Sequence, residues 1–270
     1  IFNSKFFLDN KKIENLPIGL FGDFYSHELS FALIDANDYK NLQNIFTNCN
    51  FKINKILLKS FVKGVNIISQ NSNIDNFFYL QMNEDKIKIF FFENSSLKFE
   101  EEFKFGINIV LRDIAKITSL KIDTVKLILK KLKLKNDLAV DELVEEELFK
   151  NEVYKKIKKK LIYDIIFARI EEISELTIFK NSNTLYFNQI SEGTFLEFGS
   201  EEHHLYLREI LKTIFSKNDK LAVNFLNPPS NLDMLKTVNK IVHFGWKKEA
   251  IPITQSKKSL IARLFDALFG

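Results

Sequence analysis

Two apolar runs joined by a short polar segment constrain the fold of this chain more than any other feature. Residues 77–82 read FFYLQM, residues 87–92 read IKIFFF, and Asn83, Glu84 and Asp85 lie between them. Apolar runs of this length around a tight polar turn are typical of an antiparallel hairpin. Because both faces of these strands are apolar, the sequence predicts a sheet that is covered on both sides by helices.

Composition narrows the classes of protein to consider. Of 270 residues, 28 are Phe, 8 are Gly and 4 are Pro, which excludes collagen-like, linker-rich and low-complexity chains. No segment approaches the roughly 18 uncharged apolar residues of a membrane span. The net charge of +4 is too small to indicate a nucleic-acid-binding protein. The first residue is Ile1, so we expect the natural start of the chain to be missing.

The remaining pattern mixes short strands with helices, which indicates an α+β or α/β fold. Alternation at Leu29, Phe31 and Leu33 predicts a strand, and Asp35 is expected to cap a short helix after it. The further predicted elements are a strand at 53–58, a helix at 61–68, helices at 109–117, 122–132 and 157–176, a strand at 184–187, a helix at 205–215, a strand at 221–225 and a helix ending near Gly245.

Catalytic machinery is not evident. The phosphate-loop, dinucleotide-binding and zinc-protease motifs are absent. His203 and His204 are adjacent, so on a helix they point about 100° apart and are expected at the surface rather than on one metal. The single Cys49 has no indicated partner histidine and is expected in the core. The sequence therefore predicts no catalytic residue, no metal site and no enzyme.

Two charged runs of opposite sign follow one another, an acidic run at 141–147 and a basic run at 155–160. Two interpretations of the basic run stay open: the solvated face of a helix, or a docking surface for an acidic partner. Interleaved aromatic residues are missing, which argues against nucleic acid. The lysines of the run are Lys155, Lys156, Lys158, Lys159 and Lys160.

The last residues carry the most informative pattern. Within 256–269, six apolar residues fall on one stripe of a helix and the basic residues fall off it. Such a helix suits the headgroup region of an anionic bilayer, and docking on the protein's own core is the alternative. The apolar residues are Leu260, Ile261, Leu264, Phe265, Leu268 and Phe269, and the basic ones are Lys257, Lys258 and Arg263.

Several segments, taken in order, resemble the FtsA family of actin-like bacterial division proteins. They are IENLPIGLFG (13–22), ALID (32–35), NIFTNCNFKINKILLKSFVKGVNII (44–68), the hairpin region 77–97, IIFARIEEI (165–173), TVNKIVHFG (237–245) and the tail. The resemblance spans nearly the whole chain, with the family's N-terminal first-lobe segment missing.

The resemblance implies an actin-like, ribonuclease H-like core lobe at 71–253, with a lateral sub-lobe at about 121–183. It also implies a small inserted α+β subdomain at 1–70 and a linker with an amphipathic membrane-targeting helix at 254–270.

In function, the resemblance implies a cell-division adaptor. Such a protein would tether FtsZ filaments to the cytoplasmic face of the inner membrane at the division site. Its partners would be the C-terminal peptide of FtsZ, other division proteins, further copies of the chain and anionic lipid. Arg169 and the lysine run are the residues expected to meet the FtsZ peptide.

The hairpin turn departs from the family, which has an Asp and a glycine-rich turn there for ATP. The corresponding residues of this chain are Gln81, Asn83, Glu84, Asp85 and Lys86. They place two carboxylates where phosphate oxygens would lie. The adenosine-binding turn is expected near 187–193, where only Gly193 is a glycine. We therefore predict no cofactor-binding residue.

Two alternatives stay open. One is an ATP-binding actin-like protein that forms a nucleotide-switched polymer, which would follow from the fold alone. The other is a PilM-like scaffold of a pilus or secretion system, which shares the fold but would not need an amphipathic tail.

Overall fold

A computed structural model describes residues 3–13, 16–71, 73–131, 141–149, 152–199 and 204–244. The chain divides into two compact units, one from residues 1–63 and 234–270 and one from residues 64–233. The boundaries expected from the resemblance are at 70 and 253. In chain order the elements are β1 (Asn3–Leu8), β2 (Lys11–Ile13), β3 (Tyr25–Ser30), α1 (Ala36–Asn48), α2 (Lys59–Gln70), β4 (Phe77–Met82), β5 (Ile87–Glu93), β6 (Ser96–Phe103), α3 (Asn108–Thr118), α4 (Ile122–Lys131), α5 (Lys159–Ser174), α6 (Leu185–Ile190), β7 (Thr194–Phe198), α7 (His204–Phe215), β8 (Val223–Leu226) and α8 (Asn231–Phe244).

The first unit contains a three-stranded antiparallel sheet of order β2-β1-β3 and the helix α1. The Asp35 side chain accepts hydrogen bonds from the amides of Asn37 (2.7 Å) and Asp38 (3.3 Å), which confirms the predicted cap. The predicted strand at 53–58 is wrong, because these residues form no strand. Neither edge of the sheet pairs with them, and a strand needs a hydrogen-bonded neighbour.

Apolar side chains of the first unit are unusually exposed. Among the side chains described between residues 6 and 58, none is buried. Cys49 is exposed as well, so its expected core position is wrong. This stretch therefore has no core of its own in the described structure. The most exposed apolar residues described between 6 and 58 are Ile18, Phe21, Phe31, Leu33, Ile45 and Phe51.

The second unit is built on a five-stranded sheet of order β6-β5-β4-β7-β8. β4 pairs with β5 in antiparallel register, with Tyr79 opposite Phe90, which confirms the predicted hairpin. On its other side β4 pairs with β7 in parallel, with Tyr79 beside Phe195. β4 is therefore the strand at which an antiparallel half of the sheet meets a parallel half.

Both faces of this sheet are covered, as the sequence predicts. On one face Phe78, Leu80 and Met82 belong to a buried cluster with apolar residues of α3, α4, α5 and α7. On the other face Phe77 and Phe92 stack with ring centroids 4.9 Å apart, and both are fully buried. The apolar content of both hairpin strands is thus used in packing.

One predicted strand is a helix. Residues 184–187, predicted as a strand, begin the short helix α6, whose Phe187 stacks on Phe91 with centroids 4.4 Å apart. Short apolar runs do not distinguish a strand from a helix by periodicity alone. The Thr184 hydroxyl donates to the carbonyl of Ile178 (2.8 Å), which turns the chain at the start of this helix.

We expect Gly64→Ala to destabilise the second unit. Gly64 of α2 faces Phe92, and an alanine methyl carbon there would lie 1.9 Å from the Phe92 ring. The gain in helix propensity, about 1 kcal/mol, is smaller than an overpacking cost of up to about 3 kcal/mol. The melting temperature should fall by about 4 °C. Gly193→Ala is the control, since its methyl carbon would meet nothing closer than 3.8 Å. Equal melting of the two variants would contradict the packing.

Candidate functional site

The carboxyl ends of β4 and β7 meet at one edge of the sheet, where α/β proteins place their ligands. Met82 pairs with Phe198 at the end of the two strands, and the Gly199 amide donates to the Met82 carbonyl (2.9 Å). We call the residues at this edge, 83–86 with 106–108 and 199, the carboxyl edge. It contains every residue that corresponds to the family's phosphate hairpin except Gln81, which lies within β4.

Backbone hydrogen bonds fasten the β4–β5 turn to the start of α3. The Asn83 carbonyl accepts from the amide of Ile107 (3.0 Å), and the Glu84 carbonyl accepts from the amide of Asn108 (2.9 Å). The Asn108 side-chain amide also donates to the Asp85 carboxylate (2.9 Å). These two turn carbonyls therefore accept hydrogen bonds from the start of α3.

Two glycines allow this close approach. A methyl carbon on Gly106 would lie 2.3 Å from the Asn83 carbonyl oxygen, and one on Gly199 would lie 2.3 Å from the Asn83 side-chain oxygen. Neither glycine was predicted from the sequence as part of a site. Only 8 glycines occur in the chain, so a glycine directly after a strand or before a helix was a usable signal.

Acidic groups dominate the charge around the turn. Glu84 and Asp85 are exposed. Lys86 pairs with Glu102 at 3.2 Å, and Lys88 pairs with the same carboxylate at 2.8 Å. Hydrogen bonds from Lys88 and then Lys86 lower the pKa of Glu102 below its usual value. Both of these lysines are thus already engaged by acidic side chains.

A buried polar group lies in the same sheet, on the face that carries Phe77. The Tyr79 hydroxyl donates to the Glu197 carboxylate (2.6 Å) and accepts from the Gln81 side-chain amide (2.6 Å). Burial, and then the Glu197 charge, raise the pKa of Tyr79 far above its usual value. The hydroxyl therefore stays protonated and acts as a fixed hydrogen-bond donor. Glu197 was not predicted from the sequence, although a glutamate within the apolar strand TFLEF is a visible exception.

Arg169 lies in a groove of about 690 Å³ between α3 and α5. Its guanidinium donates to the carboxylates of Asp113 on α3 and Glu172 on α5. These two contacts hold the charge at the groove wall, where 27% of the Arg169 side chain stays exposed. Ile117, which is 57% exposed, adds an apolar surface to the same groove. The groove therefore combines a fixed cation with apolar and acidic surface.

The lysine run pairs with the acidic run that precedes it. Leu143 and Lys158 form an antiparallel bridge, with a hydrogen bond from the Lys159 amide to the Glu142 carbonyl (2.8 Å). Lys158 pairs with Asp141 (2.8 Å). The Lys159 side chain, only 11% exposed, pairs with Glu142 (2.7 Å) and Glu145 (2.5 Å). Burial lowers the pKa of Lys159, but hydrogen bonds to these two carboxylates outweigh it and raise the pKa.

The other lysines of the run differ in their surroundings. Lys160 pairs with Asp164 (3.0 Å), and Lys155 donates to the Ser119 carbonyl. Lys156 is exposed. The structure therefore brings Lys155, Lys158, Lys159 and Lys160 into contacts within the protein itself. Asp164, the partner of Lys160, also lines the Arg169 groove, so the end of the run at Lys160 lies beside that groove.

Some predicted residues lie outside the described structure. These include the whole of 254–270, with the basic residues Lys257, Lys258 and Arg263, and also His203 and Gly245. Among the helices that the structure describes, none has the length and apolar content to cross a membrane. Within the same residues, no three His, Cys, Asp or Glu side chains are grouped so that they could hold a metal ion.

Comparison with solved structures identifies the fold. MreB 5 of Spiroplasma citri bound to AMPPNP is 12% identical, with 79% of this chain and 68% of that chain covered and a TM-score of 0.50. A PilM–PilN type IV pilus biogenesis complex is 12% identical over 69% of this chain and 49% of that one (TM-score 0.38). An archaeal actin homologue is 10% identical over 69% and 55% (TM-score 0.42). The chain spans about half the length of the last two.

The fold is actin-like, as the sequence analysis predicted. No family model matches the chain, and no curated protein matches it in sequence. The likeness to solved structures is far below 25% identity, so it identifies the fold and not the activity.

The Lys86 ammonium and the helix-start amides at the carboxyl edge are already paired within the protein, which disfavours a nucleotide phosphate chain there. Phosphates require backbone amides or cations directed at them. The amides of Ile107 and Asn108 already donate to the turn, and Lys86 already pairs with Glu102. Gly193, the glycine expected to mark the adenosine turn, lies beside Phe78 at the opposite end of β4. Residues 187–190 belong to α6 at the amino end of β7, so the structure does not bring this region to the carboxyl edge.

Lys159→Gln should destabilise the second unit more than Lys156→Gln. Loss of the Lys159 ammonium leaves the two carboxylates of Glu142 and Glu145 close together without their cation. We expect a loss of about 1 kcal/mol in the free energy of unfolding, measured by urea titration. Lys156 is the matched control, being exposed in the same run. If both variants unfold at the same urea concentration, the pairing has no structural role.

Proposed function

We propose that this protein is a non-enzymatic adaptor that tethers FtsZ filaments to the cytoplasmic face of the inner membrane at the division site. The observation that carries the proposal is the apolar stripe of residues 256–269 with its basic flank. The actin-like fold and the ordered resemblance to the FtsA family support it. Anionic lipid, the C-terminal peptide of FtsZ, other division proteins and further copies of the chain are the proposed partners.

The membrane attachment is proposed to be weak for a single chain. Half-burying six large apolar side chains gains on the order of 6 kcal/mol, and ordering a dozen residues costs a comparable amount. Several tails held together would bind far more tightly, because their effective concentration at the surface is high. Self-association is therefore part of the proposal.

Exposed apolar surface on the first unit supports self-association. The six side chains named above, between residues 18 and 51, are each at least 60% exposed and are therefore accessible to a partner. Association with a second copy would remove these apolar side chains from water, a gain in free energy that the monomer lacks.

Removal of the tail tests the membrane half of the proposal. The full chain should co-sediment with vesicles containing anionic lipid, and a chain lacking 256–270 should stay in the supernatant. Phe265→Glu should reduce the bound fraction about tenfold, because it removes a large apolar side chain and adds a charge. Asp266→Asn, off the stripe, is the control. Equal sedimentation of the full and truncated chains would remove membrane binding from the proposal.

The groove beside Arg169 is the proposed site for the FtsZ peptide. Because Arg169 is already paired with Asp113 and Glu172, a peptide carboxylate would exchange with these partners rather than meet a free cation. The exposed Ile117 in the same groove would contact an apolar residue of the peptide. A peptide with both acidic and apolar residues is therefore the ligand that suits the groove.

Arg169→Ala should weaken binding of the FtsZ C-terminal peptide about tenfold, measured by fluorescence anisotropy with the labelled peptide. Lys212→Ala is the control, since Lys212 is an exposed cation that pairs with Glu209 on α7. Circular dichroism would verify that both variants are folded. An unchanged dissociation constant for Arg169→Ala would exclude this groove as the site.

A nucleotide-switched polymer is the second candidate function. The actin-like fold is the observation that favours it, and fold alone does not determine function. The chemistry of the carboxyl edge opposes it.

A further inference from the structure

Hydrogen bonds within the chain occupy the backbone amides at the start of α3. The first amides of a helix have no partner within the helix and, with the helix dipole, form a ready site for an anion such as phosphate. Here the amides of Ile107 and Asn108 donate to carbonyls of the β4–β5 turn. The next two, of Ile109 and Val110, donate to the carbonyls of Gly106 (3.1 Å) and Ile107 (3.0 Å). All four amides therefore have protein acceptors.

A carboxylate also stands at this helix start. Asp85 is held there by the side-chain amide of Asn108, the first residue of α3. A negative charge near the N-terminus of a helix interacts favourably with the helix dipole. Asp85 thus supplies the charge that a bound anion would supply.

The turn packs closely against the residues that precede α3 and follow β7. Gly106 and Gly199 are in close contact with Asn83, at separations that even one added methyl group would not permit. The backbone amide of Asn83 also donates to the Lys86 carbonyl (3.0 Å), which holds Asn83 within the turn. This arrangement is therefore part of the packed structure.

We propose that the β4–β5 turn is a self-ligated anion site, in which the carbonyls of Asn83 and Glu84 and the carboxylate of Asp85 take the place of a phosphate group. The second unit then reaches its folded form without a nucleotide, and the carboxyl edge takes none. This inference does not depend on membrane or FtsZ binding, so it can fail while the adaptor function holds.

Thermal melting of the full chain with and without nucleotide tests the second half of the inference. Millimolar Mg-ATP and Mg-ADP should leave the melting temperature unchanged relative to the same concentration of inorganic phosphate. A ligand that binds the folded state raises the melting temperature in proportion to its saturation of the site. A rise of several degrees with either nucleotide, beyond that with phosphate, would overturn the inference.

Substitutions in the turn test the first half. Asp85→Asn and Asn108→Ala should each lower the melting temperature by about 2 °C, and the double variant should lose less than the sum because the two side chains form one contact. Glu147→Gln, which removes an exposed carboxylate elsewhere in the second unit, is the control. If Asp85→Asn and Glu147→Gln have the same melting temperature, or if the two losses add fully, the carboxylate has no such role and the inference is wrong.

Discussion

The pairing of β4 with β5 on one side and with β7 on the other is the constraint on which the second unit depends. It joins an antiparallel hairpin to a parallel pair within one sheet. The parallel pairing brings Gly199 to the end of Met82 and so creates the carboxyl edge. The alternation of side chains along the same strand directs Phe78 and Phe77 to opposite faces, and both faces are buried.

The sequence predicts most of what is local in this fold. The hairpin follows from two apolar runs and a polar turn, and α1 follows from its spacing and the Asp35 cap, because these signals act within a few residues. The strand predictions for 53–58 and 184–187 are wrong for the opposite reason. Whether such a run becomes a strand depends on a neighbour that only the tertiary structure supplies.

The candidate site is less predictable than the fold. Both charged runs are visible in the sequence, but their pairing depends on the antiparallel bridge between Leu143 and Lys158. The contact of Tyr79 with Glu197 joins residues far apart in the chain. Resemblance to the phosphate hairpin of the FtsA family drew attention to the turn residues. It could not show that the turn carbonyls of Asn83 and Glu84 would be used by α3.

The fold and the carboxyl edge have separate physical origins. Burial of the two apolar faces stabilises the sheet, and the turn contributes little apolar surface to either. The turn can therefore change its chemistry while the architecture stays actin-like. This separation explains how an actin-like unit can have a hairpin turn that does not suit phosphate.

Among the described side chains between residues 6 and 58 none is buried, and this has a consequence for how this part of the protein behaves in solution. Ordering a chain segment costs conformational entropy, and here the segment's own packing offsets little of that cost. Its amides should exchange with deuterium sooner than those of β4, and its loops should be among the first cut by a protease. The exchange rate in this segment would therefore report directly on whether another surface covers it.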